Sequence, residues 1–179
     1  PFNGRVPGFP DVRQQQTLTS LTYTCRAPNL PVEVRFVFHA PFYPGDLKLC
    51  VAPYIVLDVT VRNITPQTQS GRVFVGQALR NADMASTVTR DGLRGVVMNQ
   101  TVFGKQAQQA WLADEASAGG VTAHSTTMAI PATKTTDSLT KDSDGRQCLP
   151  VSWTEGASGL TWDFRLQPSQ QATRTFAYV

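Results

Sequence analysis

No apolar run in this chain approaches the roughly 18 residues that cross a bilayer, so a transmembrane helix is excluded. Clustered basic charge is missing as well. The 16 Lys and Arg are scattered against 13 Asp and Glu, and a net charge of +3 without a basic run gives no footing for nucleic acid. Glutamate is scarce, at three copies, while Thr, Ser, Gln and Val abound. That balance favours pleated sheet over helix and suits an exported β protein. Only two histidines occur, His39 and His124, and neither has cysteine or carboxylate neighbours at metal-ligand or triad spacing. The three cysteines, Cys25, Cys50 and Cys148, are odd in number and match no zinc pattern. Two readings of them stay open: buried small apolar residues, or one disulfide plus a free thiol in an exported protein.

Paired carboxylates for glycoside chemistry are lacking too. Asp114 and Glu115 adjoin on a loop, and Asp46, Asp83 and Glu155 cannot be set across a cleft from sequence. No catalytic residue, metal ligand or cofactor is therefore assigned. At 179 residues the chain is long enough for one core and is read as one domain over residues 1–179. Residues 1–5 lack a basic start followed by an apolar stretch, and residues 173–179 read as a strand cut off in mid-flow. The expectation is a domain excised from a longer protein.

What is present is strict two-residue alternation. Val32, Val34, Phe36 and Phe38 alternate with Glu33, Arg35 and His39, and Ile55, Leu57, Val59 and Val61 alternate with Asp58, Thr60 and Arg62. Successive strand side chains point to opposite faces, so each segment has one apolar and one wet face. Between them lies a corner, Ala40-Pro41-Phe42-Tyr43-Pro44-Gly45-Asp46. Half-buried antiparallel strands of this kind pack as sandwiches.

Further along, residues 16–26 predict a strand with Leu18, Leu21 and Tyr23, and Val73 and Val75 restart the alternation after the polar loop 65–71. Asp91-Gly92 signals a tight turn before a strand carrying Leu93, Val96, Val97 and Met98. Residues 101–103 and 107–112 extend the meander, or residues 106–113 form one short helical turn. Residues 131–146 read as a long exposed loop or two short strands. Leu160, Trp162, Phe164 and Leu166 share one face, Gln167-Pro168-Ser169-Gln170 turns, and a last strand carries Phe176 and Tyr178 inward. Ten or so strands without a long helix predict an all-β, antiparallel two-sheet sandwich. Phe36, Phe38, Leu57, Val59, Trp162 and Phe164 are expected in its core, with Glu33, Arg35, Asp58 and Arg62 wetter.

Other motifs are weaker. Asp142-Ser143-Asp144-Gly145 starts like a calcium loop but lacks the closing glutamate, so a solvated turn is the better reading. Asn63-Ile64-Thr65 and Asn99-Gln100-Thr101 are N-glycosylation sequons, the first spoiled by Pro66. Trp162 falls on the core face of its strand, whereas Trp111 and Trp153 are open candidates for sugar stacking.

The run Phe38-His39-Ala40-Pro41-Phe42-Tyr43-Pro44-Gly45-Asp46, then Ala52-Pro53-Tyr54 and a strand ending at Asn63, resembles the N-terminal β-supersandwich of glycoside hydrolase family 116, the β-glucosidases and non-lysosomal glucosylceramidases. Residues 164–176 are similar to that family's last sandwich strands, and glutaminase-A-like proteins have a similarly spaced corner. The resemblance implies a non-catalytic sandwich that packs on a following helical (α/α)6 catalytic domain and shapes its substrate cleft. That helical domain is the expected partner, with carbohydrate as a second one, in an extracytoplasmic or secreted protein. His39, Phe42, Tyr43 and Asp46 are the expected binding or domain-interface residues, because prolines stiffen the corner and hold its aromatics at low entropic cost. Two other classes compete: a free-standing sandwich module for carbohydrate or protein, and a structural sandwich of an envelope or capsid.

Overall fold

The computed structural model describes residues 9–40, 45–50, 52–78, 84–102, 104–114, 121–124, 140–141, 147–148 and 157–179. It is an antiparallel two-sheet β-sandwich. Four strands open the chain: β1 (Asp11–Gln16), β2 (Ser20–Arg26), β3 (Val32–His39) and, after the short helical turn Leu47–Cys50, β4 (Ile55–Asn63). Next come β5 (Gln69–Ala78), β6 (Met84–Arg90), β7 (Leu93–Val102), β8 (Lys105–Asp114) and β9 (Val121–His124). The set closes with the two-residue β10 (Thr140–Lys141) and β11 (Gln147–Cys148), then β12 (Ala157–Leu166) and β13 (Gln171–Tyr178).

The large sheet runs β1-β2-β3-β4-β13-β8-β7-β6, the small one β5-β12-β9, and β10 pairs with β11. The order shows how the chain builds its sheet. Two meanders, β1–β4 and β6–β8, are separated by an excursion into the second sheet. The last strand, β13, then joins them: Arg174 pairs with Val59 on one side and Tyr178 with Trp111 on the other. The large sheet exists as one unit only once its final strand is in place.

Alternation sets the core. Leu57, Val59, Val61, Val96, Met98 and Phe176 face Val75, Leu160, Trp162 and Leu166 of the small sheet, and all are buried. Phe36, Phe38 and Phe164 lie on the expected face but are only partly buried, which corrects their placement among nearly fully buried residues. The reason is coverage. The small sheet approaches β6–β8 and β13 most closely, so, while Val32 and Val34 are buried, the end of β3 that carries Phe36 and Phe38 extends beyond it. There Phe38 meets Tyr23 edge-on at 6.2 Å between ring centroids.

Several local expectations are met. Asp91 and Gly92 both have positive φ, 53° and 76°, and Arg90 pairs with Leu93. This is the two-residue hairpin whose mirror-image turn matches strand twist. Gly71 lies opposite Phe164, and a Cβ there would come within 2.6 Å of the phenyl ring. The glycine lets that ring lie across the neighbouring strand. Residues 107–112 are strand, within β8, not a helical turn.

One expected strand is two. Residues 16–26 are interrupted because the Thr17 hydroxyl accepts from the Ser20 amide at 3.0 Å and bonds the Ser20 hydroxyl at 2.7 Å. That turn leaves Leu18 91% exposed and makes β1–β2 a hairpin. The strand β6 was not anticipated, and the strands described outnumber the ten or so expected.

Candidate functional site

The corner between β3 and β4 is where the sequence placed its candidate residues. Phe42 and Tyr43 lie outside the described residues. Asp46 is exposed, and its backbone carbonyl accepts from the Cys50 amide at 3.1 Å, closing the helical turn after Gly45. His39, the last residue of β3, faces away from the core.

The structure adds two neighbours that spacing did not indicate. The His39 ring nitrogen Nε2 lies 3.0 Å from Asp58 Oδ2 on β4. The Thr175 hydroxyl, from β13, donates to the other Asp58 oxygen at 2.5 Å. One row further along, the hydroxyls of Thr60 and Thr173 bond each other at 2.8 Å. The outer face of β3, β4 and β13 therefore carries a polar ladder with Asp58 at its centre. Register places these residues together, since Asp58 pairs with Val37 on one side and Thr175 on the other.

The chemistry of this ladder is orientation. Asp58 spends one oxygen on each neighbour and fixes the imidazole in place. His39 and Asp58 remain 44% and 32% exposed, so the pair stays in contact with water and is screened by it. Three other acids among the described residues follow the same habit. Glu33 pairs with Arg26, Asp163 with Arg72 at 2.7 Å, and Asp91 with Arg90 at 3.2 Å. Each of these three carboxylates has a cation of its own. Among the described residues, no group of three His, Cys, Asp or Glu side chains is placed to hold a metal ion.

A second centre is Asn63, at the end of β4. Its side chain is 1% exposed. The amide nitrogen donates to the carbonyls of Gln67, Leu166 and Gln167 at 2.6, 3.2 and 3.1 Å. Its oxygen accepts from both the amide and the hydroxyl of Thr65, each at 2.9 Å. One side chain thus ties the end of β4, the loop to β5 and the β12–β13 turn. An Asn followed two residues later by Thr at a strand end is also the pattern of a side-chain-closed turn, a signal that the sequon reading leaves out.

The tryptophans divide as the fold dictates. Trp162 is 1% exposed, with the Arg174 guanidinium 5.3 Å above its ring. Trp111 packs against the core and leans on Tyr178 at 4.8 Å, with its indole nitrogen buried. An indole turned inward in this way does not offer a flat face to a sugar. Trp153 and the Asp142–Gly145 turn lie outside the described residues. Cys25 is buried and Cys50 partly so, and neither is disulfide-bonded; burial pushes the Cys25 thiol above its ordinary pKa. No helix among the described residues is long and apolar enough to cross a membrane.

No protein-family model matches this chain, and neither does any curated protein. What the geometry itself defines is an antiparallel sandwich whose large sheet carries a polar ladder on its outer face, centred on Asp58.

Proposed function

We propose that the chain is the non-catalytic, N-terminal sandwich domain of an extracytoplasmic, carbohydrate-active glycoside hydrolase, similar to those of family 116. In this reading it docks on a helical (α/α)6 catalytic domain and helps shape that domain's substrate cleft. The observation that supports this most is the role of the residues carrying the resemblance. The strand after the corner runs into Asn63, whose amide holds the β12–β13 turn at Leu166 and Gln167. The segment 164–176 then carries the strand that joins both halves of the large sheet. A domain that serves as a frame needs such ties and no acid–base pair of its own. The corner beside His39 and Asp46 is the docking face, since burying aromatic surface stabilises an interface by about 25 cal/mol per Å².

Two measurements test this. The purified 179-residue chain should show no turnover of aryl glycosides; turnover that a single Asp or Glu substitution abolishes would overturn the reading. In the longer protein, Tyr43→Ala with Asp46→Ala should weaken domain docking or glycan turnover while the isolated sandwich stays folded. Equal destabilisation of both, with no separate effect on docking or turnover, would reduce the corner to packing. A parent reading frame without a helical domain, together with glycan affinity in the isolated chain, would assign it instead as a free-standing binding module.

A further inference from the structure

The two sequons differ in burial and in how far their side chains are engaged. Asn63 has every polar atom of its side chain engaged and is 1% exposed. A glycan on its nitrogen would remove donors from buried carbonyls and have no path to solvent. Asn99 sits within β7, paired in register with Gln108 of β8. It shares the outward parity, since Val96 and Met98 on either side of Val97 are the buried ones. Its oxygen accepts from the Gln108 amide at 3.1 Å in an exposed hydrogen bond. Its own nitrogen donates in no hydrogen bond found among the described residues. Asn99 itself is half-buried, in register with Met84 of β6 on its other side, and Ser86, Gln106 and Gln108 nearby are exposed.

We propose that Asn99 accepts an N-linked glycan and that Asn63 does not. The proposal rests on the reading of the protein as exported, because the donor is found only in a secretory lumen. That donor is an oligosaccharide linked through pyrophosphate to a polyisoprenoid lipid. Its anomeric carbon forms a C–N bond to Asn99 Nδ2 while the C–O bond to pyrophosphate breaks. The amide gives up one proton, and the lipid pyrophosphate leaves. Thr101, two residues on, completes the acceptor motif. A glycan there covers the outer face of β7 and β8. It leaves the β3–β4 corner, on the other side of β13, open for docking.

The test is secretion of the whole chain from eukaryotic cells behind a cleavable leader. Glycans are removed by peptide N-glycanase in ¹⁸O-water, and peptides are read by mass spectrometry for labelled Asn-to-Asp conversion. Conversion is expected at 99 and not at 63. A single mobility shift should disappear in Asn99→Gln and equally in Thr101→Ala, which leaves Asn99 itself untouched. Occupancy at 99 is read on all translocated chain, so a folding defect cannot hide it. An unmodified Asn99, or a glycan at Asn63 in the secreted chain, would overturn the proposal. Because the leader is supplied, that outcome is separate from the export reading, which fails only if the native protein fractionates with the cytoplasm.

Discussion

The inner and outer faces of the β4–β13 pair are built from alternate residues of the same two strands, yet different forces hold them. Inside, Val59, Val61 and Phe176 are at most 1% exposed and pack against the small sheet. Outside, Asp58, Thr60, Thr173 and Thr175 are joined by hydrogen bonds at a water-facing surface. The inner face gains from removal of apolar area from water, about 1.5–3 kcal/mol for each fully buried aliphatic or phenyl side chain. The outer face exchanges hydrogen bonds with water for hydrogen bonds with itself, a smaller net gain of about 1 kcal/mol each. Stability should therefore be concentrated on one side of the sheet, and specificity of register and surface chemistry on the other.

The largest blow to that division should come from Phe176→Ala. Phe176 pairs with Leu57 and with Ala113, bridging the two meanders from the inner face. Truncating a buried phenyl costs about 3–5 kcal/mol. Urea unfolding should show a correspondingly lower midpoint, whereas Thr175→Ala, the adjacent residue on the outer face, should shift it by about 1 kcal/mol or less. Comparable losses at the two positions would erase the distinction between the faces.

Asn63→Ala comes next and tests whether a polar residue can belong to the inner economy. Removing its amide leaves the Leu166 and Gln167 carbonyls without that donor at the end of the sandwich. Leaving a buried group unsatisfied costs about 1–3 kcal/mol. Asn63→Asp keeps the acceptor for Thr65 but loses the donors, so it should fall with Ala in thermal melts. A near-neutral Asp variant would show that the Thr65 turn alone carries the effect.

What the sequence revealed followed from period and turn chemistry. The register of β3, β4 and β12 was legible because apolar residues recur at every second position, and the tight turn before β7 because Asp-Gly accepts positive φ. The strand β6 escaped notice since its stretch is mostly small and polar, without a clear apolar alternation. The partial exposure of Phe36 and Phe38 could not be read locally either. It depends on how many strands the opposing sheet has and where they lie. His39 and Asp58 are 19 positions apart and meet only through the register of β3 on β4. Asn63 was visible, but its motif serves two purposes, and burial decides between them.

A smaller effect should appear with alkali. The Cys25 thiol and the Tyr178 hydroxyl are both held above their ordinary values, 9.0 and 10.0, by burial. The unfolded chain releases these protons at lower pH than the folded one. The stability contributed by their neutral forms is thus complete below about pH 9 and declines as pH rises through the raised values. Chemical denaturation from pH 7 upward should show a plateau and then a fall. Cys25→Ala should make that fall shallower, while stability lost steeply below pH 8 would point to other groups.

The smallest effect expected is at Asp58, although it is the centre of the outer ladder. Asn in its place keeps the size and one acceptor oxygen, and removes the charge facing His39. Both side chains are about a third or more exposed, and pairs in that setting contribute about 0–1 kcal/mol, less at high salt. Asp58→Asn should therefore change the unfolding free energy by under about 1 kcal/mol. Val59→Ala, one residue along the same strand, should cost more, about 1.5–3 kcal/mol for the buried side chain. The informative readout at Asp58 is the His39 ring rather than stability. Its carbon-bound proton resonances should broaden or shift in Asp58→Asn and in Thr175→Ala as the carboxylate loses its grip on the imidazole. An unchanged ring environment in both variants would mean that the ladder does not position His39, and the outer face would then be only a solvated surface beside the corner.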